Sequence, residues 1–198
     1  MKIENLFPTP VAMFSLGREL TEEEASFVAN QTTHDNVGNT TSDNRTVLKA
    51  HAMTSIREFV EESLIEYFKT IHNPKHEVSP YITQSWLNYT APGQFHHKHA
   101  HPNSIISGVF YVNADDAVDR IYFYKEQYER IKLPPNEWNT WNSESWWFPV
   151  GTGQLILFPS SLVHMVETKS GDNVRVSLAF NTFLKGYIGQ DDTLTGVS

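Results

Sequence analysis

Residues 89–101 read YTAPGQFHHKHAH, a Pro-Gly turn followed by four histidines within six positions. Farther on, residues 153–164 read GQLILFPSSLVH and residues 175–181 read RVSLAFN. Neutral imidazole is the commonest protein ligand for divalent iron, zinc, copper and nickel. On extended chain a His-x-His pair turns both rings to one face. His99 and His101 therefore make part of a metal site, and a third ligand has to come from a distant strand. His164, the only histidine after the cluster, stands at the end of an apolar run. With Arg175, these histidines set out a mononuclear metal site and an anchor for an anion.

The segments around the cluster are β-type. From Tyr81 onward the runs YITQSWLNYT, SIISGVFYVN, RIYFY, GQLILF and VRVSLAFNTF are short, rich in β-branched and aromatic residues, and separated by Pro, Gly, Asn and Asp. That pattern predicts an antiparallel sandwich or barrel. Residues 125–150 read as a long connection holding Trp138, Trp141, Trp146 and Trp147, and loops of that length are uncommon unless functional or disordered. The tryptophans are candidates for a lid over a substrate groove or for a cover on the open edge of the sandwich.

The N-terminal third reads as helical. Thr21 and Glu24 form a capping box before Ala25, Phe27 and Val28, predicting a short first helix. Residues 32–50, rich in Thr, Asn, Asp and Ser, read as a loop. Ile56, Phe59, Val60, Leu64, Phe68 and Ile71 then recur at helical spacing, predicting an amphipathic helix over 54–71. The expectation is one mainly β domain over residues 1–198, with helical support over 20–75 and a β core over 80–184.

Composition narrows the class. The 198 residues are 39% hydrophobic and 19% charged, with a net charge of −8, enough for one domain with a substantial core. No cluster of Lys and Arg suits a nucleic-acid backbone, and no apolar run approaches membrane-spanning length. Residues 1–14 lack the apolar core and small-residue cleavage site of a secretory signal. Cysteine is absent, which removes disulfides, thiolate metal sites and cysteine nucleophiles together. The expected location is the cytoplasm, where the Asn-x-Thr triplets at Asn39, Asn44 and Asn88 are chance matches.

YTAPGQFHHKHAH, SGVFYVN, GQLILFPSSLVH and RVSLAFN together resemble the iron(II)/2-oxoglutarate-dependent oxygenases, in particular their prolyl 4-hydroxylase-like branch. That branch has a Tyr-x-x-x-Gly turn leading into His-x-Asp, a strand ending Tyr-Leu-Asn, a distal His, and an Arg or Lys about ten residues later. The likeness covers roughly residues 82–183. It extends to a subgroup of oxygenases from phages and marine bacteria that keeps the FPSSLVH and RxSxAFN segments. The fold this resemblance implies is a double-stranded β-helix, a cupin-like jelly roll.

By this resemblance His99, His101 and His164 are the iron ligands and the catalytic centre. Arg175 and Ser177 anchor the far carboxylate of 2-oxoglutarate. The two are separated by one residue on a strand and so share a face; the arginine fork suits a carboxylate, with the hydroxyl completing the contact. Tyr89 and Tyr111 match tyrosines that donate to the bound 2-oxoglutarate. Asn181, in phase with Arg175 and Ser177, is a further cavity candidate, and Asn88 and Gln84 are others near it. Each polar residue has a plainer reading as well: a core tyrosine with its hydroxyl satisfied elsewhere, an amide on backbone groups, an arginine in an internal salt bridge.

His101 stands where the family usually has a carboxylate. Three readings follow. His101 is a ligand of a three-histidine iron; or the acid position has no protein ligand and His101 stands behind the metal; or an offset register uses His97 and His99. Tyr89 and Gly93 fall where the family's turn expects them when His99 is the first ligand. An imidazole in place of a carboxylate leaves one more unit of positive charge at the metal. His96 and His97 read as polar loop residues.

The expected function is an Fe(II)/2-oxoglutarate-dependent dioxygenase that hydroxylates a small molecule or a peptidyl or prolyl side chain, with ascorbate as an accessory reductant. The alternatives are a three-histidine iron dioxygenase that uses no 2-oxoglutarate, and a jelly-roll binding module without turnover.

Overall fold

A computed structural model describes residues 1–125, 131, 133–190 and 192–197. In chain order the elements are β1 (Ala12–Ser15), α1 (Glu22–Ala29), β2 (Thr33–Asp35), β3 (Thr40–Ser42), α2 (Thr54–His72), β4 (Val78–Thr90), β5 (His96–His99), β6 (Ile106–Asn113), β7 (Arg120–Tyr124), β8 (Ser145–Pro149), β9 (Gln154–Pro159), β10 (His164–Val166) and β11 (Arg175–Gly186). Two short 3₁₀ turns, Val47–Lys49 and His51–Met53, lead into α2. The strands form two antiparallel sheets. The larger runs β1-β9-β6-β11-β4-β3-β2 and the smaller runs β5-β10-β7-β8.

Alternation along the central strands assigns the two faces of the larger sheet. Val176, Leu178 and Phe180 of β11, with Leu87 of β4 and Phe110 of β6, pack against Ile56, Val60, Leu64 and Phe68 of α2. The residues between them, Arg175, Ser177 and Ala179, face the interior between the sheets with Tyr111 and Asn88. There Tyr111, Ile121, Phe123, Ile156 and Phe158 form a second core. Gly108 stands opposite Phe180, and a Cβ at this glycine would fall 2.1 Å from the phenylalanine ring. The missing side chain is what leaves room for that ring against β6.

The helices follow their sequence signals. Thr21 caps α1, its Oγ1 accepting from Glu24 N at 3.2 Å while Thr21 N donates to Glu24 Oε2 at 2.8 Å. Arg18 clamps the same carboxylate with both terminal nitrogens, at 2.6 and 2.8 Å. α2 spans Thr54–His72 and stops at Asn73, whose φ of 40° is left-handed; asparagine tolerates that conformation better than most residues. Tyr67 is buried where Ile71 is exposed, so the buried stripe ends one turn earlier than its spacing suggests.

Three expectations are corrected. Residues 32–50 contain the hairpin β2–β3, which extends the larger sheet by pairing with β4; its polar residues suit an edge strand whose pairing only the sheet supplies. Phe14 and Leu16 anchor a strand in the N-terminal third, since β1 pairs with β9. The stretch read as a connection over 125–150 includes β8, which pairs along the whole of β7; residues 126–130 and 132 of that stretch lie outside the described residues. GQLILFPSSLVH spans both sheets. β9 ends at Pro159, the chain turns, and His164 opens β10 in the other sheet. No helix among the described residues is long and apolar enough to cross a membrane.

Candidate metal centre and anion pocket

His99 closes β5 and His164 opens β10, and they are direct partners across that ladder. Their ring centroids are 4.4 Å apart. His101 lies just beyond β5, where its backbone N–H donates to the Ser160 carbonyl at 2.9 Å. This bond draws the turn after β9 onto the histidine segment. The imidazole of His101 stacks on that of His164 with centroids 5.1 Å apart, and the two Nε2 atoms are 3.3 Å apart. One nitrogen from each of His99, His101 and His164 lies within 4.8 Å of the others, so the three could hold a single metal ion.

Backbone carbonyls orient two of these rings. His99 Nδ1–H donates to the His97 carbonyl at 2.7 Å and His164 Nδ1–H donates to the Leu162 carbonyl at 3.0 Å. A hydrogen on Nδ1 leaves the lone pair on Nε2, the arrangement that metal-binding histidines use. Burial holds the cluster neutral. It lowers His164 to about 3 and His101 to about 4, with neighbouring histidines adding to both shifts. His99 is lowered for the same reason, against the pull of its bond to the His97 carbonyl.

The cavity beneath the histidines is bounded on the larger sheet by Trp86, Asn88, Ser107, Gly108, Tyr111, Arg175, Ser177 and Ala179. Arg175 is 2% exposed. Its Nη2 donates to Thr90 Oγ1 at 3.2 Å, while Nε and Nη1 are buried with no partner. Unpaired buried donors on a cation are costly. No carboxylate among the described residues forms a salt bridge with Arg175: Asp119, the nearby acid that acts on it electrostatically, is paired with the buried Lys169 at 3.1 Å. The internal ion pair considered for Arg175 is therefore not what the described residues provide.

Tyr111 and Ser177 line the cavity, and they are register partners across β6 and β11. Tyr89 does not. It pairs with Val176 rather than with Arg175 or Ser177, so strand parity turns it to the helical face, where its hydroxyl donates to the Val28 carbonyl at 2.6 Å. Asn88, opposite Ser177, takes the inward position instead, and its Oδ1 is buried without a partner. Asn181 is also corrected. Its Oδ1 accepts from Ser107 Oγ at 3.1 Å, and it holds that cavity residue without lining the cavity itself; Gln84 is likewise outside the lining.

His96, read from sequence as a loop residue, lines the cavity beside Arg175. Two steps along β10, from His164 to Val166, are matched by three along β5, from His99 to His96. The resulting bulge re-aims His96 to the face of His99, and the rings stack with centroids 4.8 Å apart and planes 16° apart. His96, His97 and His99 form a second group whose nitrogens approach within the same limit. None of the four tryptophans at 138–147 lines this cavity. Trp147 lies against the Arg120 guanidinium at 4.5 Å, and Trp141 Nε1 donates to Asn5 Oδ1 at 2.9 Å.

Residues 84–181 match the model of a family described as "Putative 2OG-Fe(II) oxygenase". No curated protein matches the chain. Among solved structures, an oxidoreductase of the 2OG-Fe(II) oxygenase family from Burkholderia pseudomallei aligns with a TM-score of 0.56 and 13% identity, covering 80% of this chain and 74% of its own. HygX from Streptomyces hygroscopicus, crystallised with nickel and 2-oxoglutarate, aligns with a TM-score of 0.61 and 10% identity, covering 88% and 82%. A second HygX structure also contains hygromycin B. At such identities the likeness shows the fold, and that fold is the jelly roll.

Proposed function

We propose that the protein is an Fe(II)- and 2-oxoglutarate-dependent oxygenase that hydroxylates a C–H bond of its substrate, with His99, His101 and His164 as the metal ligands. The observation that carries this reading is Arg175. A buried guanidinium with two unpartnered nitrogens lines the cavity that the three histidines overlook. That is the placement needed for a ligand chelating a metal at one end and presenting a carboxylate at the other.

The residues present fit both groups. Three neutral imidazoles suit Fe(II), and the carbonyl partners of His99 and His164 keep the ligand tautomer. Arg175 would take the far carboxylate with help from the Ser177 and Tyr111 hydroxyls, and Thr90 holds the guanidinium in place. When bound, Fe(II) and 2-oxoglutarate supply activation of dioxygen, in which oxidation of the keto acid to succinate and carbon dioxide is coupled to insertion of oxygen into a C–H bond. Trp86, Val109 and Ala179 give the cavity apolar walls that exclude water.

Residues 84–181 carry the family match, and the prolyl 4-hydroxylase-like motifs favour a peptidyl side chain, prolyl in the first instance, as substrate. HygX, with hygromycin B bound, makes a small molecule the other class to test. The cytoplasm is the proposed location.

Anaerobic addition of Fe(II) and then 2-oxoglutarate to the apoprotein tests the reading. A visible charge-transfer band that weakens in Arg175→Ala is the expected result. Iron binding without a band would overturn the cofactor assignment. It would favour the second reading, a three-histidine dioxygenase that binds substrate directly at the metal, for which the absence of a carboxylate from the His99, His101 and His164 group speaks. Absence of both iron binding and turnover would favour a binding module.

A further inference from the structure

The bulge in β5 leaves a fourth imidazole in the cavity that the ligand set does not use. Asn39, in the β2–β3 turn, places its Nδ2 3.4 Å from His96 Nδ1. An amide nitrogen only donates, so with Asn39 turned this way Nδ1 accepts and the hydrogen of the neutral ring sits on Nε2. His96 is thus an N–H donor held from behind, lining the same cavity as Arg175 and stacked on His99.

We propose that His96 is a positioning residue for the keto acid, its Nε2–H donating to a carboxylate oxygen of bound 2-oxoglutarate between the metal and Arg175. The inference rests on the cofactor assignment above. An N–H donor suits this place because the acid it would meet is an anion. The N–H contributes a charge-assisted bond to it. The role also gives the hairpin β2–β3 a function, since the turn between these strands supplies the residue that fixes the ring.

The test compares wild type, His96→Leu and His96→Gln. Leucine removes the donor, and glutamine returns an N–H at nearly the reach of Nε2. The readouts are Fe(II) affinity, and the Kd of 2-oxoglutarate from the anaerobic charge-transfer band. The expected result is unchanged iron affinity in both variants, a roughly ten- to hundredfold weaker 2-oxoglutarate Kd in His96→Leu, and recovery of most of that loss in His96→Gln. Three results would overturn it. Equal Kd values in wild type and His96→Leu would show that the ring only fills space. Weakening in both variants alike would assign the effect to packing. Loss of iron in His96→Leu would mean that Nε2 carries a lone pair and that the metal uses the His96, His97 and His99 group. A wild-type protein with no band at all would instead strike down the cofactor assignment, which separates that failure from these.

Discussion

His99 and His164 face each other as direct partners across β5 and β10, ring centroids 4.4 Å apart. The pairing is antiparallel, so the last residue of one strand meets the first of the other. Each ring is then fixed by its own Nδ1–H bond to the carbonyl two residues earlier. His101 completes the group from outside the ladder. This distinguishes the two available histidine groups: His99, His101 and His164 bring together two segments of the fold, whereas His96, His97 and His99 come from one strand.

Metal affinity therefore depends unequally on the histidines. His164→Ala and His101→Ala are each expected to weaken Fe(II) binding by more than about 100-fold, exceeding what loss of a ligand-orienting partner does, and His97→Ala to leave it within a few fold. Competition against a chromophoric chelator measures this. Loss of binding in His97→Ala with retention in His101→Ala would establish the offset register.

Tyr89 and Tyr111 should separate stability from cofactor binding. Tyr89→Phe removes the bond to the Val28 carbonyl and is expected to cost about 1 kcal/mol, read by urea denaturation, with the 2-oxoglutarate Kd unchanged. Tyr111→Phe should weaken that Kd several-fold while altering stability little. A Kd change in Tyr89→Phe matching that in Tyr111→Phe would contradict the facing of β4.

Gly108→Ala is expected to destabilise the fold by roughly 1–3 kcal/mol, because the new methyl group meets the Phe180 ring in a filled core. Its urea midpoint should fall, and adding Phe180→Leu should recover part of the loss. A neutral Gly108→Ala would show that the ring moves aside freely.

The Arg18 and Glu24 pair predicts one component of acid sensitivity. The Arg18 hydrogen bonds, with the Thr21 N–H and the arginine charge, hold the Glu24 carboxyl below its ordinary value, against a smaller effect of burial. A carboxyl lowered on folding stabilises above its unfolded pKa, and the contribution is lost as pH falls through the folded value. The thermal midpoint of wild type should thus drop more steeply below about pH 4.5 than that of Glu24→Gln, which should lie lower at neutral pH. Parallel curves would remove this pair from the acid response.

The parts of the site carried by local chemistry were legible in the sequence. The capping box at Thr21, the stripe along α2, the main β runs, and the pairing of Arg175 with Ser177 on one face all follow from periods of 3.6 and 2 that a chain carries in itself. The candidate site was legible as residue types, imidazole and guanidinium, that suit a metal and an anion. The hairpin β2–β3 was not legible, since an edge strand rich in polar residues is stabilised by the neighbour it pairs with; β8, Ser145–Pro149, carries aromatic strand formers but lay inside a stretch read as one connection.

What only the tertiary structure decided is which face each residue shows. Tyr89 and Asn88 are adjacent in sequence, and the register that sets Asn88 opposite Ser177 sends one to the cavity and the other to α1. Alternation along β5 alone would place His96 and His99 on opposite faces. One extra residue in its pairing with β10 brings them to the same face and puts a fourth imidazole beside the arginine. A strand's sequence determines its alternation, but a shift of one position reverses every assignment, and that shift is set by partners far along the chain.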